Sequence, residues 1–444
     1  MTSPAERAKL GQDARKVVGR RSHGQWIPAT GRPDPVAVLV EQGADRVPEL
    51  LPIRYGRMAQ SPFAFLRGAA AVLATDLAAG PNTGLVVQLC GDAHLLNFGM
   101  YASPERALLF DLNDFDETHP GPFEWDVKRL AASIAVAARQ NGDRDSAARA
   151  SAKASAEAYR TAMRRLAGMG ELDVWYQKLD TSQVLPLLTG ERRRRAEQNL
   201  ERARRRTSLQ AFEKLTELRD GRPRIIADPP LVQPVAVPEY RAVGKVFSQY
   251  RATLPEERRV LLDRFQLTDV AVKVVGVGSV GTRCFIVLLQ GRDSRDPLFL
   301  QVKEAQQSVL APFATGPVPD HQGHRVVAGQ RLLQAAGDIF LGWTTGPGGR
   351  HFYGRQLRDM KGSAEVDRMT AGGLRAYAAL CGHALARAHA RSGDRIAIAG
   401  YLGGSDAFDA AIAEFAMRYA DQTLADHGEL VRAIADGTVP AQDA

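Results

Sequence analysis

Acidic side chains and one amide are concentrated between residues 90 and 116. The segment 90–97 reads CGDAHLLN and places Asp92 five residues before Asn97. Further aspartates follow at Asp111, Asp114 and Asp116. Phosphoryl transfer needs one carboxylate to orient or deprotonate the acceptor hydroxyl, and an amide with a further carboxylate to hold magnesium. Because Mg²⁺ prefers hard oxygen ligands, this pattern predicts Asp92 as the catalytic residue and Asn97 as a metal ligand.

Two short apolar runs must position these side chains. Leu85–Leu89 predicts a strand that runs into the CGDAHLLN loop, and Ala107–Phe110 predicts a second strand that leads into DLNDFDETHPGP. Loops that leave neighbouring strands would bring their acidic groups together at the opening of one cleft. The alternative is an acidic turn whose carboxylates bind backbone N–H groups, and His94 taken alone is more often a hydrogen-bonded structural histidine.

A glycine-rich segment occurs far along the chain. Residues 276–281 read GVGSVG and match GxGxxG, a pattern that dinucleotide-binding folds share. In those folds a helix follows the third glycine, whereas Val270–Val275 and Thr282–Leu289 are rich in β-branched residues. A strand, a glycine loop and a strand form the arrangement that covers nucleotide phosphates in kinases. This context predicts nucleotide contacts from Gly276, Gly278, Ser279 and Gly281, although a plain hairpin turn has the same pattern.

The next predicted strand, Leu298–Val302, delivers Lys303 within LFLQVKEA. A lysine on this strand pairs with nucleotide phosphates in kinases, where a glutamate of the following helix holds it. The predicted helix at 323–336 contains Gln330 but no glutamate, and Glu304 is expected on the opposite face of the strand. Lys303 is therefore predicted to bind the nucleotide, with its own partner left open and an exposed strand lysine as the alternative.

The first loop resembles the GDxHxxN catalytic loop of the aminoglycoside and choline phosphotransferases, with Cys90 where those proteins usually have histidine. The resemblance implies a second aspartate at a helix start about a dozen residues after the metal aspartate. Asp126 in EWDVKRLA fits that position, and counting back twelve residues reaches Asp114. Asp114 is therefore the expected metal ligand, with Asp111 and Asp116 as alternates.

These segments occur in an unusual order along the chain. The catalytic loop precedes the glycine loop, and residues 382–389 (GHALARAH) resemble the helix that comes just before the catalytic loop in those phosphotransferases. A circular permutation accounts for this order, and it is tolerated when the joined ends lie close together. The expected fold is therefore α+β: a bilobal, protein-kinase-like fold with a helical catalytic lobe first, a β-rich nucleotide lobe later, and closing helices.

Longer segments extend the resemblance across roughly residues 20–425. RYGRMAQSPFAFLRGAA (54–70), NDFDETHPGPFEWDVKRLA, KVVGVGSVGTR and LQVKEAQQSVL resemble the uncharacterised bacterial family called domain of unknown function 2252. That resemblance implies a kinase-like cleft and leaves the reaction unnamed. The expected divisions are a lead-in at 1–84, a helical lobe at 85–225, a β-rich lobe at 226–350, and a hinge with closing helices at 351–444.

Bulk composition limits the class of protein. The chain has 444 residues, is 45% hydrophobic and has a formal net charge of +8, which suits a sizeable core and an anionic partner. Its three cysteines are widely spaced, so neither a zinc site nor a disulfide framework is indicated. No apolar run suggests a secretory signal or a transmembrane helix, so a cytoplasmic protein is expected.

The remaining elements are predicted from periodicity and turn residues. Residues 1–60 are expected to be an extended lead-in with one short helix, and 222–240, with its prolines, an inter-lobe linker. Helices are predicted at 62–80, 124–141 continuing to about 168, 191–206, 371–391 and 405–437. Arg54, Arg57 and Arg67 either contact substrate anions or form ordinary ion pairs. The segment 356–363 (QLRDMKGS) is a candidate hinge.

The leading hypothesis is an ATP- and Mg²⁺-dependent phosphotransferase acting on a small or polar hydroxyl compound. Nucleotidyl transfer would use the same ligands with the nucleotide seated in reverse. A rival is a non-catalytic, pseudokinase-like nucleotide sensor, which Cys90 and the missing helix glutamate favour. A basic protein that binds nucleic acid through Arg192–Arg206 is a weaker alternative, because Glu191, Glu197 and Glu201 can pair with those arginines in a solvated helix. The sequence indicates neither the acceptor nor the oligomeric state.

Overall fold

The computed structural model describes residues 2–184, 190–205, 207–235, 237–357 and 360–442. The helices in these ranges are α1 (Pro4–Val17), α2 (Pro35–Gly43), α3 (Leu51–Ala59), α4 (Pro62–Gly68), α5 (Ala70–Ala78), α6 (Phe123–Gln140), α7 (Asp145–Ala167), α8 (Glu171–Trp175), α9 (Thr181–Val184), α10 (Gly190–Arg204), α11 (Ser208–Leu215), α12 (Val237–Ala252), α13 (Glu256–Leu262), α14 (Gln322–Leu333), α15 (Ala371–Ala390), α16 (Arg395–Leu402) and α17 (Ala407–Ala435). The strands are β1 (Val86–Leu89), β2 (Phe98–Ala102), β3 (Leu108–Leu112), β4 (His119–Pro122), β5 (Thr216–Arg219), β6 (Arg222–Ile225), β7 (Val232–Pro234), β8 (Gln266–Lys273), β9 (Cys284–Gln290), β10 (Pro297–Glu304), β11 (Gly342–Thr345), β12 (His351–Gln356) and β13 (Gly362–Ser363).

The fold is mixed α+β with several antiparallel sheets. The largest sheet has six strands in the order β11-β12-β10-β9-β8-β7. β1 pairs with β4, β2 lies between β13 and β3, and β5 with β6 forms a separate hairpin. The strands predicted at the two loops and around the glycine segment are thus confirmed close to their expected bounds. Among the described residues, every helix is too short or too polar to span a bilayer.

The prediction of an extended lead-in at 1–60 was wrong, because this segment contains α1, α2 and α3. Ser3 and Glu6 form a capping box at the start of α1, with Pro4 in the first turn. Asp34 caps α2 by accepting a hydrogen bond from the Val36 N–H. These caps mark the starts of α1 and α2, whereas α3 begins without a side-chain cap, with Pro52 in its first turn.

The single helix predicted at 62–80 is divided into α4 and α5 at Ala69. The last carbonyls of α4 are taken by arginines from other elements. Arg129 donates to the Leu66 carbonyl at 2.7 Å, and Arg54 donates to the Gly68 carbonyl at 3.2 Å. Cationic side chains stabilise a helix C-terminus in this way, so α4 ends where these tertiary contacts form.

The segment 222–240 is not the plain linker that was predicted. Pro223 lies in β6, Pro234 lies in β7, and Pro238 lies in the first turn of α12, with Pro229 and Pro230 between the two strands. β7 forms an edge of the six-stranded sheet, where a missing N–H costs little. That sheet also extends beyond residue 350, because β12 pairs with both β10 and β11. The expected division at 350 therefore lies between two paired strands, and the β-rich region ends near Gln356.

A helical core places the C-terminal part of the chain against the first strand. α15 packs closely along α7, where Gly382 approaches the Ser155 carbonyl so tightly that a Cβ would lie 2.0 Å from it. Just after α15, Ser392 accepts a hydrogen bond from the Gln88 N–H at 3.1 Å. The end of α15 thus lies directly beside β1, the strand that enters the CGDAHLLN loop.

Candidate active site

A cavity of about 120 Å³ lies between the catalytic loop, the segment after β3 and the glycine loop. Its lining includes Asp92, Asn97, Asp114, Asp116, Gly276, Gly278 and Ser279. Segments from distant parts of the sequence therefore converge, as the candidate site requires. The pairing of Phe98 with Leu112 places Asn97 beside Asn113, whose N–H donates to the Asn97 carbonyl at 3.0 Å.

Asp92 is held by a buried arginine. The Arg129 guanidinium lies 2.7 Å from Asp92 Oδ1 and also donates to the Leu66 carbonyl. His94 Nε2 is 3.7 Å from the other carboxylate oxygen, and His94 Nδ1 accepts from the Leu96 N–H. Burial holds the pKa of His94 well below its ordinary value, so its imidazole is neutral. Asp92 thus faces the cavity in a fixed orientation, and His94 lies beside it as a neutral side chain.

Asn97 and Asp114 offer oxygen atoms to the cavity. The Asn97 amide nitrogen donates to the Asp92 carbonyl at 2.6 Å, which leaves its amide oxygen as the atom available to a cation. Asp114 Oδ1 is buried and has no hydrogen-bond partner among the described residues. The Cys90 thiol donates to the Asp114 carbonyl at 3.2 Å, and burial raises the pKa of Cys90 so that the thiol stays protonated. Cys90 therefore supports, through a hydrogen bond, the loop at 113–118, which we call the metal loop because it carries the predicted ligand Asp114.

The two alternate metal ligands have other partners. Asp111 is buried and forms an ion pair with Arg387 at 2.6 Å, while it also accepts from the Ala335 N–H. It does not line the cavity. Asp116 lines the cavity, but its carboxylate is paired with Lys303 and accepts from the Tyr353 hydroxyl at 2.6 Å. Asp114 therefore fits a metal better than either alternate.

These contacts identify what orients Lys303, which the sequence left open. Its ammonium group contacts Asp116 and lies 3.5 Å from Asp114 Oδ2, and its side chain is only 3% exposed. Burial disfavours the charged form, but Asp114 and Asp116 outweigh this effect and raise the pKa of Lys303 well above its usual value. The carboxylate of Asp116 is thus the partner that holds the Lys303 ammonium group.

The helix that follows the lysine strand, α14, presents an arginine in place of a glutamate. Arg325 donates to the Thr118 carbonyl at 2.6 Å and to the Asp116 carbonyl at 2.9 Å. Glu304 lies on the opposite face of β10 from Lys303 and pairs with Arg283 and Arg350. α14 therefore fixes the backbone of the loop that supplies the partner of Lys303.

The glycine loop connects β8 and β9 as expected, and two arginines of the N-terminal region bind its backbone carbonyls. Arg46 donates to the Gly278 carbonyl at 2.7 Å, and Arg57 donates to the Gly276 carbonyl at 2.8 Å. Gly276 and Gly281 have positive φ angles of 68° and 90°, a conformation that glycine adopts without strain. Ser279 Oγ lies 3.4 Å from Asp116 Oδ2, so this loop reaches the metal loop.

Asp126, at the start of α6, organises the catalytic loop. Its carboxylate accepts from the Cys90 N–H at 2.7 Å and the Gly91 N–H at 3.0 Å. His389, near the end of α15, lies 3.1 Å from the same carboxylate. Asp126 therefore joins the catalytic loop to the C-terminal segment that resembles the helix normally found before it.

A family model described as "Uncharacterized protein conserved in bacteria (DUF2252)" matches residues 46–433. The chain belongs to this family. No curated protein and no solved structure matches it. The DUF2252 match covers the catalytic loop, the metal loop, the glycine loop and Lys303, so all the parts of the site described above lie within the family region.

Magnesium is compatible with the donor set of this DUF2252 chain. Within the described ranges, no group of three or more His, Cys, Asp or Glu side chains is arranged to hold a metal. Mg²⁺ bound to phosphates needs only one or two protein ligands, because phosphate oxygens and water complete its shell. The unpartnered Oδ1 of Asp114 and the amide oxygen of Asn97 supply such a pair.

Sequence reasoning missed several residues around the cleft. Arg129 follows Asp126 by three positions on α6, and this spacing puts both side chains on one helix face toward the catalytic loop. That signal was readable. Arg46, Arg325 and Tyr353 gave no local signal, because their partners are remote in sequence.

The three arginines around the SPF segment have different roles. Arg54 is fully buried and donates to Gln42 and to backbone carbonyls, so it is structural. Arg57 holds the glycine loop, as described above. Arg67 lines the cavity near Asp92, and its guanidinium has no hydrogen-bond or ion-pair partner in the described part of the chain. Arg67 is therefore the arginine that is available to an anion.

The arginine-dense segment forms α10, close to its expected bounds. Arg193 pairs with Glu197 at 2.9 Å, and Arg205 pairs with Glu201 at 3.2 Å. Leu200 and Ala203 are buried and anchor the helix. Arg206 and the side chains of Glu191, Arg192 and Arg195 lie outside the described residues, as do Arg358 and Asp359 of the candidate hinge.

Proposed function

We propose that this protein is a phosphotransferase that binds a nucleoside triphosphate with Mg²⁺ and transfers its terminal phosphoryl group to a hydroxyl acceptor. The proposal rests on the convergence of Asp92, Asn97 and Asp114 with the glycine loop around one cavity, and on Lys303, which does not itself line the cavity but lies 3.5 Å from Asp114 Oδ2. Phosphoryl transfer is catalysed mainly by positioning and by electrostatic stabilisation, and these groups supply both.

Each side chain has a defined task in this proposal. Asp92, held by Arg129, orients the acceptor hydroxyl and takes up its proton. The acceptor oxygen forms a bond to the terminal phosphorus as the bond from that phosphorus to the leaving diphosphate breaks. Lys303 and the N–H groups of the glycine loop bind phosphate oxygens. Asn97 and Asp114 would hold Mg²⁺, which neutralises negative charge on the phosphates.

The architecture supports a kinase-like, circularly permuted arrangement. A glycine hairpin, a lysine strand and a helix follow one another as β8, β9, β10 and α14, the order that kinases use. The helix that should precede the catalytic loop lies at the C-terminal side as α15, and its end is beside β1. In this chain α16, α17 and the N-terminal helices α1–α5 stand outside the direct link from α15 to β1 that the usual order would have.

The cavity lining suggests the class of acceptor. Arg67 faces the cavity next to Asp92 without a partner, and the buried Arg46 lies close by. We therefore propose an acceptor that carries a carboxylate or phosphate in addition to its hydroxyl group. The Arg67 guanidinium group would pair with that anionic group while Asp92 receives the hydroxyl.

Nucleotidyl transfer is a second candidate that one observation favours. The cavity, about 120 Å³, is smaller than the roughly 300–1,000 Å³ of pockets that enclose whole ligands, so it can enclose phosphates while the nucleoside extends beyond it. Beyond Lys303, the same sheet face at Ile286 and Phe299 is covered by Ala211 and Ile225. A base cannot stack there unless α11 moves, which favours a nucleotide seated in reverse.

The decisive experiment compares binding and turnover in the full chain. Thermal shift is measured with ATP and MgCl₂, and products are resolved by chromatography across hydroxy acids, sugar phosphates, and neutral and cationic alcohols. Asp92→Asn should keep the thermal shift and lower turnover at least about 100-fold, whereas Asp114→Asn should lose the Mg²⁺-dependent part of the shift. Asp293→Asn, in the exposed turn between β9 and β10, is the matched control and should change neither.

The outcomes separate the candidates. Formation of ADP with anionic acceptors, reduced in Arg67→Ala, supports the phosphotransferase and its acceptor class. Formation of pyrophosphate together with an acceptor that carries the AMP group supports nucleotidyl transfer. Binding without turnover in any arm supports a nucleotide sensor. If no nucleoside triphosphate shifts the melting temperature of the native chain, the cleft does not bind nucleotides and the proposal is wrong.

A further inference from the structure

A second cavity, of about 330 Å³, lies in the β-rich region between α12 and the six-stranded sheet. Val302 and Leu300 of β10 line it, and they alternate with Lys303 along the strand. Successive strand residues point to opposite faces, so this cavity lies on the other side of the sheet from the catalytic cleft. It therefore needs an explanation of its own.

The walls of this second cavity are mainly apolar. Val246 and Phe247 contribute from α12, Val287 from β9, and Phe352 from β12. The Thr344 hydroxyl also borders the space, but it already donates to the Val246 carbonyl at 2.9 Å. Cavities lined by hydrocarbon hold water poorly and take up apolar molecules of matching size. The volume lies at the lower end of small-ligand pockets, which run from about 300 to 1,000 Å³.

Two arginines give one wall of the cavity a positive charge. Arg283 and Arg350 both line it, and both contact the Glu304 carboxylate, at 3.2 and 3.0 Å. Two guanidinium groups thus share one carboxylate, which leaves a net charge of about +1 beside an apolar chamber. Their side chains are 31% and 41% exposed, so an entering ligand can reach them.

We propose that this cavity binds an amphipathic monocarboxylate, with its hydrocarbon portion between α12 and the sheet and its carboxylate on Arg350 and Arg283. The apolar walls account for the hydrocarbon, and the unbalanced guanidinium charge accounts for a single anionic head group. The planar guanidinium fork matches a carboxylate, which it binds through paired hydrogen bonds. This proposal does not rest on the phosphotransferase proposal, because it uses neither the catalytic loop nor the glycine loop, although Glu304, which pairs with both arginines, also borders the catalytic cavity.

The test uses straight-chain carboxylates from hexanoate to dodecanoate below their micelle concentrations, with binding to the full chain followed by calorimetry. Affinity should rise about three- to fourfold for each added methylene until the chain fills the cavity. Decanol should bind at least about tenfold more weakly than decanoate, since it lacks the charge that the arginines attract.

Variants locate the binding site. Val246→Phe places a ring in the cavity and should abolish decanoate binding. Arg350→Gln changes a partly exposed side chain and should weaken decanoate at least about tenfold while leaving decanol unchanged. Arg292→Gln, on the exposed turn after β9, removes the same charge far from the cavity and should have no effect. If Val246→Phe fails to fold, Arg350→Gln still tests whether decanoate binds in this cavity.

Three results would overturn the inference. They are no binding of any chain length, equal binding of decanoate and decanol, or binding that Val246→Phe and Arg350→Gln leave unchanged. None of them bears on ATP binding in the cleft, so failure here and failure of the proposed function are distinguishable.

Discussion

The pairing of Lys303 with Asp116 leads to a quantitative prediction. Lys303 is 3% exposed, and Asp116 is its contacting partner, while Asp114 Oδ2 lies farther away at 3.5 Å. Removing one partner of a buried pair typically costs about 3–5 kcal/mol, because the other charge stays buried. Since Asp114 can partly compensate, we expect Asp116→Asn to lower the free energy of unfolding by about 2–3 kcal/mol.

A double-mutant cycle measures the interaction itself. Asp116→Asn, Lys303→Met and the double variant are compared with the native chain by urea unfolding followed by circular dichroism. The coupling energy should reach about 2 kcal/mol, because the Lys303 side chain is shielded from water, although that of Asp116 is 26% exposed. The matched control is Lys16 with Asp13, whose side chains are 79% and 45% exposed. Exposed pairs of this kind contribute about 0–1 kcal/mol.

The outcome decides whether Asp116 holds Lys303 in place. If the Lys303–Asp116 coupling energy is no larger than the Lys16–Asp13 coupling energy, the ion pair does not fix the lysine. The inference that Asp116 orients Lys303 is then refuted. If Asp116→Asn also abolishes the ATP-induced thermal shift while the fold is retained, the pairing prepares Lys303 for the nucleotide.

Two further predictions concern the loops of the cleft. Burial raises the pKa of Glu117 to about 7, so the folded chain holds this proton more tightly than the unfolded chain does. The free energy of unfolding should therefore fall by up to about 3 kcal/mol as pH rises from 4.5 to 7. Melting curves of Glu117→Gln should lack this loss. Gly91→Ala should destabilise the chain by more than about 2 kcal/mol, because its Cβ would lie 2.0 Å from the Glu117 carbonyl, whereas Gly142→Ala, also at positive φ but with open space around it, should cost only about 1 kcal/mol. Similar melting temperatures for the two alanine variants would contradict the packing described for the catalytic loop.

The sequence was sufficient for those parts of the site whose signals are local. The glycine hairpin could be predicted because β-branched residues flank it, and Lys303 because the next run alternates toward it. The placement of Asp92 and Asn97 at one cavity could be predicted because both residues lie within a single loop. Ser3 and Glu6, which form a capping box, also indicate the first helix, but the polar composition of this segment led to the prediction of an extended lead-in.

What the sequence did not reveal depends on remote contacts. Asp116 and Lys303 are separated by 187 positions, and nothing near either residue indicates the other. Arg46 reaches the Gly278 carbonyl across 232 positions. The division of the helix at Ala69 has the same origin, since Arg129 and Arg54 take carbonyls at the end of α4. Tertiary hydrogen bonds override local helix preference in such cases, and a single sequence contains no record of them.

The permuted order that we propose changes how the catalytic loop is stabilised. When the preceding helix is joined directly to the loop, its contacts are local. Here His389 reaches Asp126 across 263 positions, and Asp126 in turn holds the Cys90 and Gly91 N–H groups. Loop-closure entropy makes such distant contacts slow to form. We therefore expect the backbone that presents Asp92 to become fully supported only after α15 has folded against β1, which would make the catalytic loop, although early in the chain, a late part of folding.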